Sequence, residues 1–333
     1  MADKKEKAPA TSGNKTSRRR NSVWVEGYLK ENTLETANIK GVNYIRGNLV
    51  ISVDEFSSFK IRFFVPEKRK EKEVEAYKEL ISILPDKTIS IAGFLDQNPK
   101  ANFETAAAMS TKVYATASFD EYVTKSMGKE TCYVTLEGNK GGLKTLGHDF
   151  EPRATFNCDM YIESLKRETV QETETGRLEV VGLIPHYTGR LSRIKFYTAK
   201  DVTDYVEEHY SVSQTANFSG NIIAVKKESV RNHVSAGSWG SAAEAKPLVS
   251  FVAQRIITGG HKAPIDQDAE GAITAEEVKE GLTLRATEAI ANSEKRGGSK
   301  PSGAAPAVEG GKKDFFAEEE ISTPQKQFNF SDF

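Results

Sequence analysis

The chain has 333 residues and a formal net charge of −1, and 38% of its residues are hydrophobic. This hydrophobic fraction excludes a chain that is globular throughout and predicts that part of it lies in tails or linkers. Two cysteines, Cys132 and Cys158, without a CxxC motif argue against a disulfide framework and a structural zinc site. No apolar run reaches membrane-spanning length and the N-terminus lacks the apolar core of a signal peptide, so we expect a soluble, non-secreted protein.

The first 22 residues form a basic segment. Residues 1–22 are rich in Lys, Arg, Ser and Thr and almost free of apolar side chains, which predicts a disordered arm. Such an arm could contact nucleic acid or act only as a solubilising tail, and the sequence leaves both readings open.

The segment 23–150 is predicted to form one small β-barrel. Alternating apolar and polar residues indicate strands, and Val74, Tyr77, Leu80 and Ile81 lie on the apolar side of a short helix. Three strands, a helix and two strands follow one another, which is the order of the five-stranded OB-fold barrel. The predicted strands are Val23–Lys30, Tyr44–Val53, Phe59–Phe64, Thr88–Leu95 and Val113–Tyr122.

The end of this segment gives a weaker signal. Cys132–Leu136 is predicted to be a strand, and the glycine-rich residues Gly138–Gly142 are predicted to be a loop. The loop lacks the spacing of a phosphate-binding P-loop, so the sequence does not favour a phosphate site there.

The pattern then restarts over residues 151–260. Tyr28 and Tyr161 are separated by the same number of residues as Ile61 and Ile194, and Asn217–Gly220 resembles Ser90–Gly93. An internal repeat of this size predicts a second OB-like barrel. Its predicted elements are the strands Phe156–Leu165, Arg177–Ile184, Leu191–Tyr197 and Leu248–Thr258, and a short helix capped by Asp201.

The C-terminal part changes character twice. Residues 261–296 are predicted to be partly helical, with a capping box at Thr274–Glu277. Residues 297–333 read as a flexible linker followed by an acidic and aromatic tip. Exposed aromatic rings are unfavourable in a tail that binds nothing, so we interpret the tip as a docking peptide for a partner protein. The alternative is an ordinary acidic tail. Its docking residues are Phe315, Phe316, Phe328, Phe330, Asp332 and Phe333.

Two repeated strands carry the functional hypothesis. The strands are Phe59–Phe64 and its repeat within Leu191–Tyr197. In each strand the inward side chains are apolar, whereas the outward side chains are two cations followed by an aromatic ring. Cations can follow a phosphate backbone and rings can stack on bases, so these faces predict single-stranded nucleic-acid binding. The alternative is that the rings pack against the barrels and the cations form a solvated surface. The predicted binding residues are Trp24, Tyr28, Tyr44, Arg46, Lys60, Arg62, Phe64, Tyr161, Arg177, Arg193, Lys195 and Tyr197.

The duplicated OB-like pattern, the linker and the acidic tip ending in Asp332–Phe333 together resemble bacterial and bacteriophage single-stranded DNA-binding proteins. This resemblance implies a protein of a bacterial or phage-infected cytoplasm that protects single-stranded DNA in replication, recombination and repair. It also implies that the tip recruits replication and recombination proteins. Members of that family commonly carry one barrel per chain and form tetramers, whereas this chain is predicted to carry two, so homo-oligomer assembly stays open. The acids Glu318–Glu320 also lie apart from the terminal Phe333, unlike the compact tip of the family.

Enzymatic chemistry is not indicated. The five histidines are scattered, and no metal-ligand spacing or nucleophile motif is present, so we expect no cofactor, no metal and no catalytic residue. Two other functions remain as alternatives: a β-barrel structural or virion-assembly protein, and a single-stranded RNA-binding protein, because stacking and charge serve RNA and DNA equally.

Overall fold

The computed structural model describes residues 19–126, 129–144, 150–229, 248–267 and 269–297. Within these ranges the protein is mainly β, with short helices and one long C-terminal helix. The tip residues Phe315, Phe316, Phe328, Phe330, Asp332 and Phe333 lie outside the described residues, as does the arm up to residue 18.

The first half of the chain supplies eight strands and three short helices. The strands are β1 (Asn21–Asn32), β2 (Glu35–Ile39), β3 (Val42–Ser52), β4 (Ser58–Pro66), β5 (Lys68–Arg69), β6 (Lys72–Glu73), β7 (Lys112–Ser126) and β8 (Lys129–Leu143). The helices, all between β6 and β7, are α1 (Glu75–Ile81), α2 (Ile91–Gln97) and α3 (Phe103–Met109).

The second half of the chain has a similar order of elements, but only one α-helix, and not three, precedes its fourth strand. Its strands are β9 (Arg153–Val170), β10 (Thr173–Pro185), β11 (Leu191–Thr198), β12 (Thr215–Ser229) and β13 (Leu248–Ile265). The short helix α4 (Thr203–His209) lies between β11 and β12, and the long helix α5 (Ala275–Gly297) follows β13.

Strand pairing closes two five-stranded rings. In the first, β1 pairs with β3, β3 with β4, β4 in parallel with β8, β8 with β7, and β7 again with β1. In the second, β9, β10, β11, β13 and β12 pair in the same order, and β11 and β13 are the parallel pair. A closed ring of this order is the OB-fold barrel, and it confirms the predicted mainly-β fold of two OB-like barrels.

The inward side chains fill the barrels as alternation predicts. In β4, Phe59, Ile61 and Phe63 are buried, and in β11 Ile194 and Phe196 are buried. One continuous hydrophobic core contains residues of both barrels, so the interiors of the two barrels pack against each other where the barrels meet.

The barrels are joined by antiparallel pairing of β1 with β9, their first strands. Leu29 and Ile162 occupy equivalent positions, because each precedes a bulge and lies opposite Ile51 or Gly182 on the next strand. Counting back from these positions, Val23 is equivalent to Phe156, and these two residues face each other in the ladder. An approximate two-fold axis therefore passes through this pair, as in the isologous interface of a dimer.

Several predicted details of the first barrel are wrong. Thr88–Leu95 is not a strand: the Ser90 side chain accepts a bond of 3.1 Å from the amide of Gly93 and caps α2. The apolar residues of α2 are spaced as in a helix and pack around Tyr28. The fourth and fifth strands are consequently β7 and β8.

The glycine-rich residues Gly138–Gly142 lie inside β8 and do not form a loop. A side chain at Gly138 would lie 2.4 Å from the ring of Phe63, so the glycine makes room for a core aromatic. Glycine in a sequence suggests a turn, but Gly138 is needed here because the Phe63 ring packs closely against its backbone.

Details of the second barrel also differ. Asn217–Gly220 lies in β12, where the ladder aligns it with Tyr114–Ala117 of β7 and not with Ser90–Gly93. Asp201 lies in a 3-10 turn ahead of α4, whose N-terminus has no side-chain cap. The capping box of α5 is confirmed, because Thr274 and Glu277 exchange bonds of 2.9 and 3.2 Å between side chain and backbone.

Candidate nucleic-acid interface

The outward face of β3 and β4 brings together five of the seven predicted side chains of the first barrel. Arg46 lies opposite Phe64, Asn48 opposite Arg62, and Val50 opposite Lys60. Their neighbours along each strand point into the buried core, so alternation fixes this arrangement. Tyr44 follows at the end of the row, opposite Pro66.

The two rings on this face stack on each other. The Tyr44 and Phe64 centroids are 4.8 Å apart with an angle of 24° between planes, and Phe64 is 51% exposed. An exposed ring that is already oriented by a neighbour is a suitable platform for a nucleobase.

The cations beside these rings stay accessible to solvent. Arg46 pairs with Glu35 at 2.7 Å, but both side chains are more than half exposed. Arg62 lies 3.8 Å from Glu137 and keeps 69% of its side chain exposed. Burial raises the pKa of Glu137, whereas the Arg62 charge opposes the shift. Exposed pairs of this kind are weak, and a phosphate can compete for their cations.

A second basic element continues this face. The β5–β6 hairpin leaves the end of β4, and its residues Lys68–Glu73 are all exposed. Lys70 and Glu71 have φ angles of 47° and 66°, so the hairpin makes a tight two-residue turn. Alternation does not predict this element, because each of its strands is only two residues long. The signal available in the sequence is a stretch between Pro66 and Val74 that carries four cations and no apolar residue.

Trp24 and Tyr28 lie on other parts of the barrel and are partly covered. Trp24 stacks on Tyr114 at 5.1 Å and 12°. Tyr28 packs against the cluster formed by α2 and α3 and meets Phe150 edge-on at 5.2 Å. The fold does not bring these two residues into the row formed by Tyr44, Arg62 and Phe64.

In the second barrel each predicted cation contacts a carboxylate. Arg177 donates two bonds, of 2.8 and 2.9 Å, to Glu168 and lies 5.1 Å from the ring of Tyr197. Arg193 donates bonds of 2.6 and 2.7 Å to Glu163, and Lys195 lies 3.1 Å from Glu179. These three cation side chains are 14–21% exposed. Tyr161 is half-buried on β9.

Groups of three or more residues that could bind a metal ion are absent from the described ranges. In the same ranges, no helix has both the length and the apolar character needed to cross a bilayer. The arrangement on β3 and β4 offers charge and stacking surfaces to a ligand.

The chain is similar to solved structures of one other protein and to one family model. The wild-type single-stranded DNA binding protein from Thermus aquaticus is similar, with a TM-score of 0.41 and 9% identity over 76% of this chain and 97% of that chain. A deletion mutant of the same Thermus protein gives a TM-score of 0.40 and 8% identity over 76% and 98% of the two chains. No curated protein sequence matches. The model of the YorF family matches residues 19–296, most of the chain, and the protein therefore belongs to the YorF family.

Proposed function

We propose that the protein binds single-stranded DNA without sequence preference, as a binding protein and not as an enzyme. The observation that carries this proposal is the stacked pair Tyr44–Phe64, whose Phe64 ring is exposed beside Arg46 and Arg62 on the β3–β4 face. This face corresponds to the second and third strands of the OB barrel, the surface on which such barrels bind oligonucleotides.

The chemistry of this face suits a flexible polyanion. Every base has a π-face, so a ring platform accepts any base, and one stack contributes about 1–3 kcal/mol. Arg46, Lys60 and Arg62 add affinity by releasing counterions from the phosphates, which makes binding dependent on salt.

In the cell, the protein would cover unwound DNA during replication, recombination and repair, in a bacterial or phage-infected cytoplasm. The tip from Lys326 to Phe333 would recruit partner enzymes through its rings and acids, a role supported by its composition alone. Deleting residues 326–333 is then expected to abolish capture of a replication partner and to leave DNA affinity unchanged or raised.

The binding proposal is tested by fluorescence anisotropy with labelled oligo-dT, oligo-dA, oligo-rU and duplex DNA over a series of salt concentrations. We expect binding to both DNA single strands that strengthens with length and weakens with salt, and weak binding to duplex. Phe64→Ala is expected to raise the Kd for oligo-dT about tenfold, because it removes the exposed member of the stack.

Tyr187→Ala is the matched control, since Tyr187 is a 92% exposed aromatic on the turn between β10 and β11. It is expected to leave the Kd unchanged. Absence of any length-dependent and salt-sensitive binding would contradict the proposal and favour a structural protein. Tighter binding to oligo-rU than to oligo-dT would assign the site to RNA.

A further inference from the structure

We infer that the two barrels have different roles: the single strand binds across the first barrel, from the β3–β4 face onto the β5–β6 hairpin, and the corresponding face of the second barrel is closed by ion pairs. This inference rests on the proposed function and locates its binding surface.

Equivalent positions in the two barrels follow from the strand ladders. Leu29, Ile51 and Phe59 form one row across three strands. Ile162, Gly182 and Ile194 form the same row in the second barrel. In both barrels the first strand has its bulge directly after this row, at Lys30 or at Glu163.

At two positions counted from this row, the second barrel has a glutamate where the first barrel has a different residue. The bulge residue is Lys30 in the first barrel and Glu163 in the second. On the next strand, three positions before Ile51 and Gly182, Asn48 corresponds to Glu179. Glu163 and Glu179 are the residues that bind Arg193 and Lys195. The second face therefore meets its cations with its own carboxylates, at positions where the first barrel has a lysine and a neutral amide.

The stacking platform is also specific to the first barrel. Counted along β11, the position of Phe64 falls on Ala199, just after the strand ends. Tyr197 corresponds to Arg62 and lies under the guanidinium of Arg177. Among the residues that the structure describes, the equivalent place on the second barrel offers a base no stacked ring pair.

Between β11 and β12, where every residue is described, the second barrel has no counterpart of the basic hairpin either. There the chain passes from β11 directly into the 3-10 turn Lys200–Val202 and α4. In the first barrel the hairpin carries Lys68, Arg69, Lys70 and Lys72 at the Tyr44 end of the face. Among the described residues, Arg69, Lys70 and Lys72 have no carboxylate partner within ion-pair distance. Their charge complements the phosphates of a strand whose bases stack on Tyr44 and Phe64.

The test compares two double variants of the full chain that each remove two cations. Lys70→Gln with Lys72→Gln changes the hairpin, and Lys195→Gln with Lys200→Gln changes the corresponding region of the second barrel. Binding of each to oligo-dT is measured over a salt series, and circular dichroism verifies folding. We expect the slope of log K against log salt to be less steep by about 1.4 in the hairpin variant, since each single-strand phosphate contact contributes about −0.7. The second-barrel variant is expected to keep the slope of the unmodified protein.

A reverse variant tests the closure itself. Glu163→Lys with Glu179→Asn gives the second face the residues of the first, and we expect a steeper salt slope and a lower Kd. Equal loss of slope in both double variants would overturn the division of roles while the proposed function stands. Absence of oligo-dT binding by the unmodified chain would remove the proposed function and this inference together.

Discussion

At the scale of single residues, Glu121 and Arg285 form a buried ion pair where the two barrels meet α5. The Glu121 carboxylate accepts bonds of 2.7 and 2.9 Å from Arg285 and one of 3.0 Å from the amide of Arg193. Arg285 also donates to Glu130 at 2.8 Å. Burial opposes the charge of Arg285, but the bonds to Glu121 and Glu130 hold its pKa above the ordinary value. One carboxylate thus connects β7, β11 and α5.

Glu121→Ala is expected to lower the free energy of unfolding by about 3–5 kcal/mol, because it leaves Arg285 buried without its main partner. The measurement is urea unfolding followed by circular dichroism. Glu35→Ala is the control: it breaks the exposed pair with Arg46 and is expected to cost less than about 1 kcal/mol. Equal losses in the two variants would show that the buried network does not stabilise the joint.

At the scale of elements, α5 is part of the folded body and not an appendage. Asn292 donates a bond of 3.0 Å to the carbonyl of Val123, and Ser293 accepts one of 2.7 Å from the amide of Lys125. Ala289 is buried against Val123 and Cys132. Gly281 permits close approach of α5 to the start of β11, since a side chain there would lie 2.5 Å from Leu191.

Deleting residues 275–333 is expected to expose Cys132 to a thiol reagent while Cys158 stays protected. In the intact protein, burial raises the pKa of Cys132 to about 12, and Arg285 of α5 lies 3.0 Å from its sulfur. Cys158 is 0% exposed, and β12 and β1 lie beside its strand. Reagent titration at pH 8 should therefore find one reactive thiol per chain in this variant.

Deletion of residues 298–333 alone is the control, because it leaves α5 in place and should give no reactive thiol. Two reactive thiols in the longer deletion would mean that the barrels themselves need α5 to fold. No reactive thiol would mean that α5 does not cover Cys132.

The elements also show which features the sequence could predict. Alternation locates most strands, because a strand with one buried face must alternate. It misses α2 and α3, because each helix is only seven residues long and so short an apolar stretch can be taken for a strand. It misreads Gly138, because the reason for that glycine is the Phe63 ring of another strand. At the site, alternation predicts the outward residues of β4, but the partner of Arg193 is Glu163 on a different strand, which only the fold reveals.

At the scale of the whole molecule, each barrel extends a hairpin over the other. Phe119 lies on β7, in the β7–β8 hairpin of the first barrel. Its ring centroid is 6.0 Å from that of Phe156 and 5.9 Å from that of Phe196, both in the second barrel. In return, Phe251 of β13 stacks on Phe56 of the first barrel at 4.5 Å. The β1–β9 ladder follows the approximate two-fold axis, whereas the aromatic contacts on its two sides use non-equivalent residues. The joint thus has the character of a dimer interface built within one chain.

A shared core of this kind predicts that the two barrels unfold together. We expect calorimetry to show one transition whose calorimetric and van't Hoff enthalpies agree, since neither barrel can open without exposing the Phe119 cluster. Phe119→Ala removes the ring that both barrels share and is expected to separate the transition into two, with a loss of about 3–5 kcal/mol from the joint. Two transitions in the unmodified protein would instead show that each barrel is stable alone and that the joint contributes little. Because the β1–β9 ladder persists in the Phe119→Ala variant, a single broadened transition there would assign the coupling to the strand pairing rather than to the aromatic cluster.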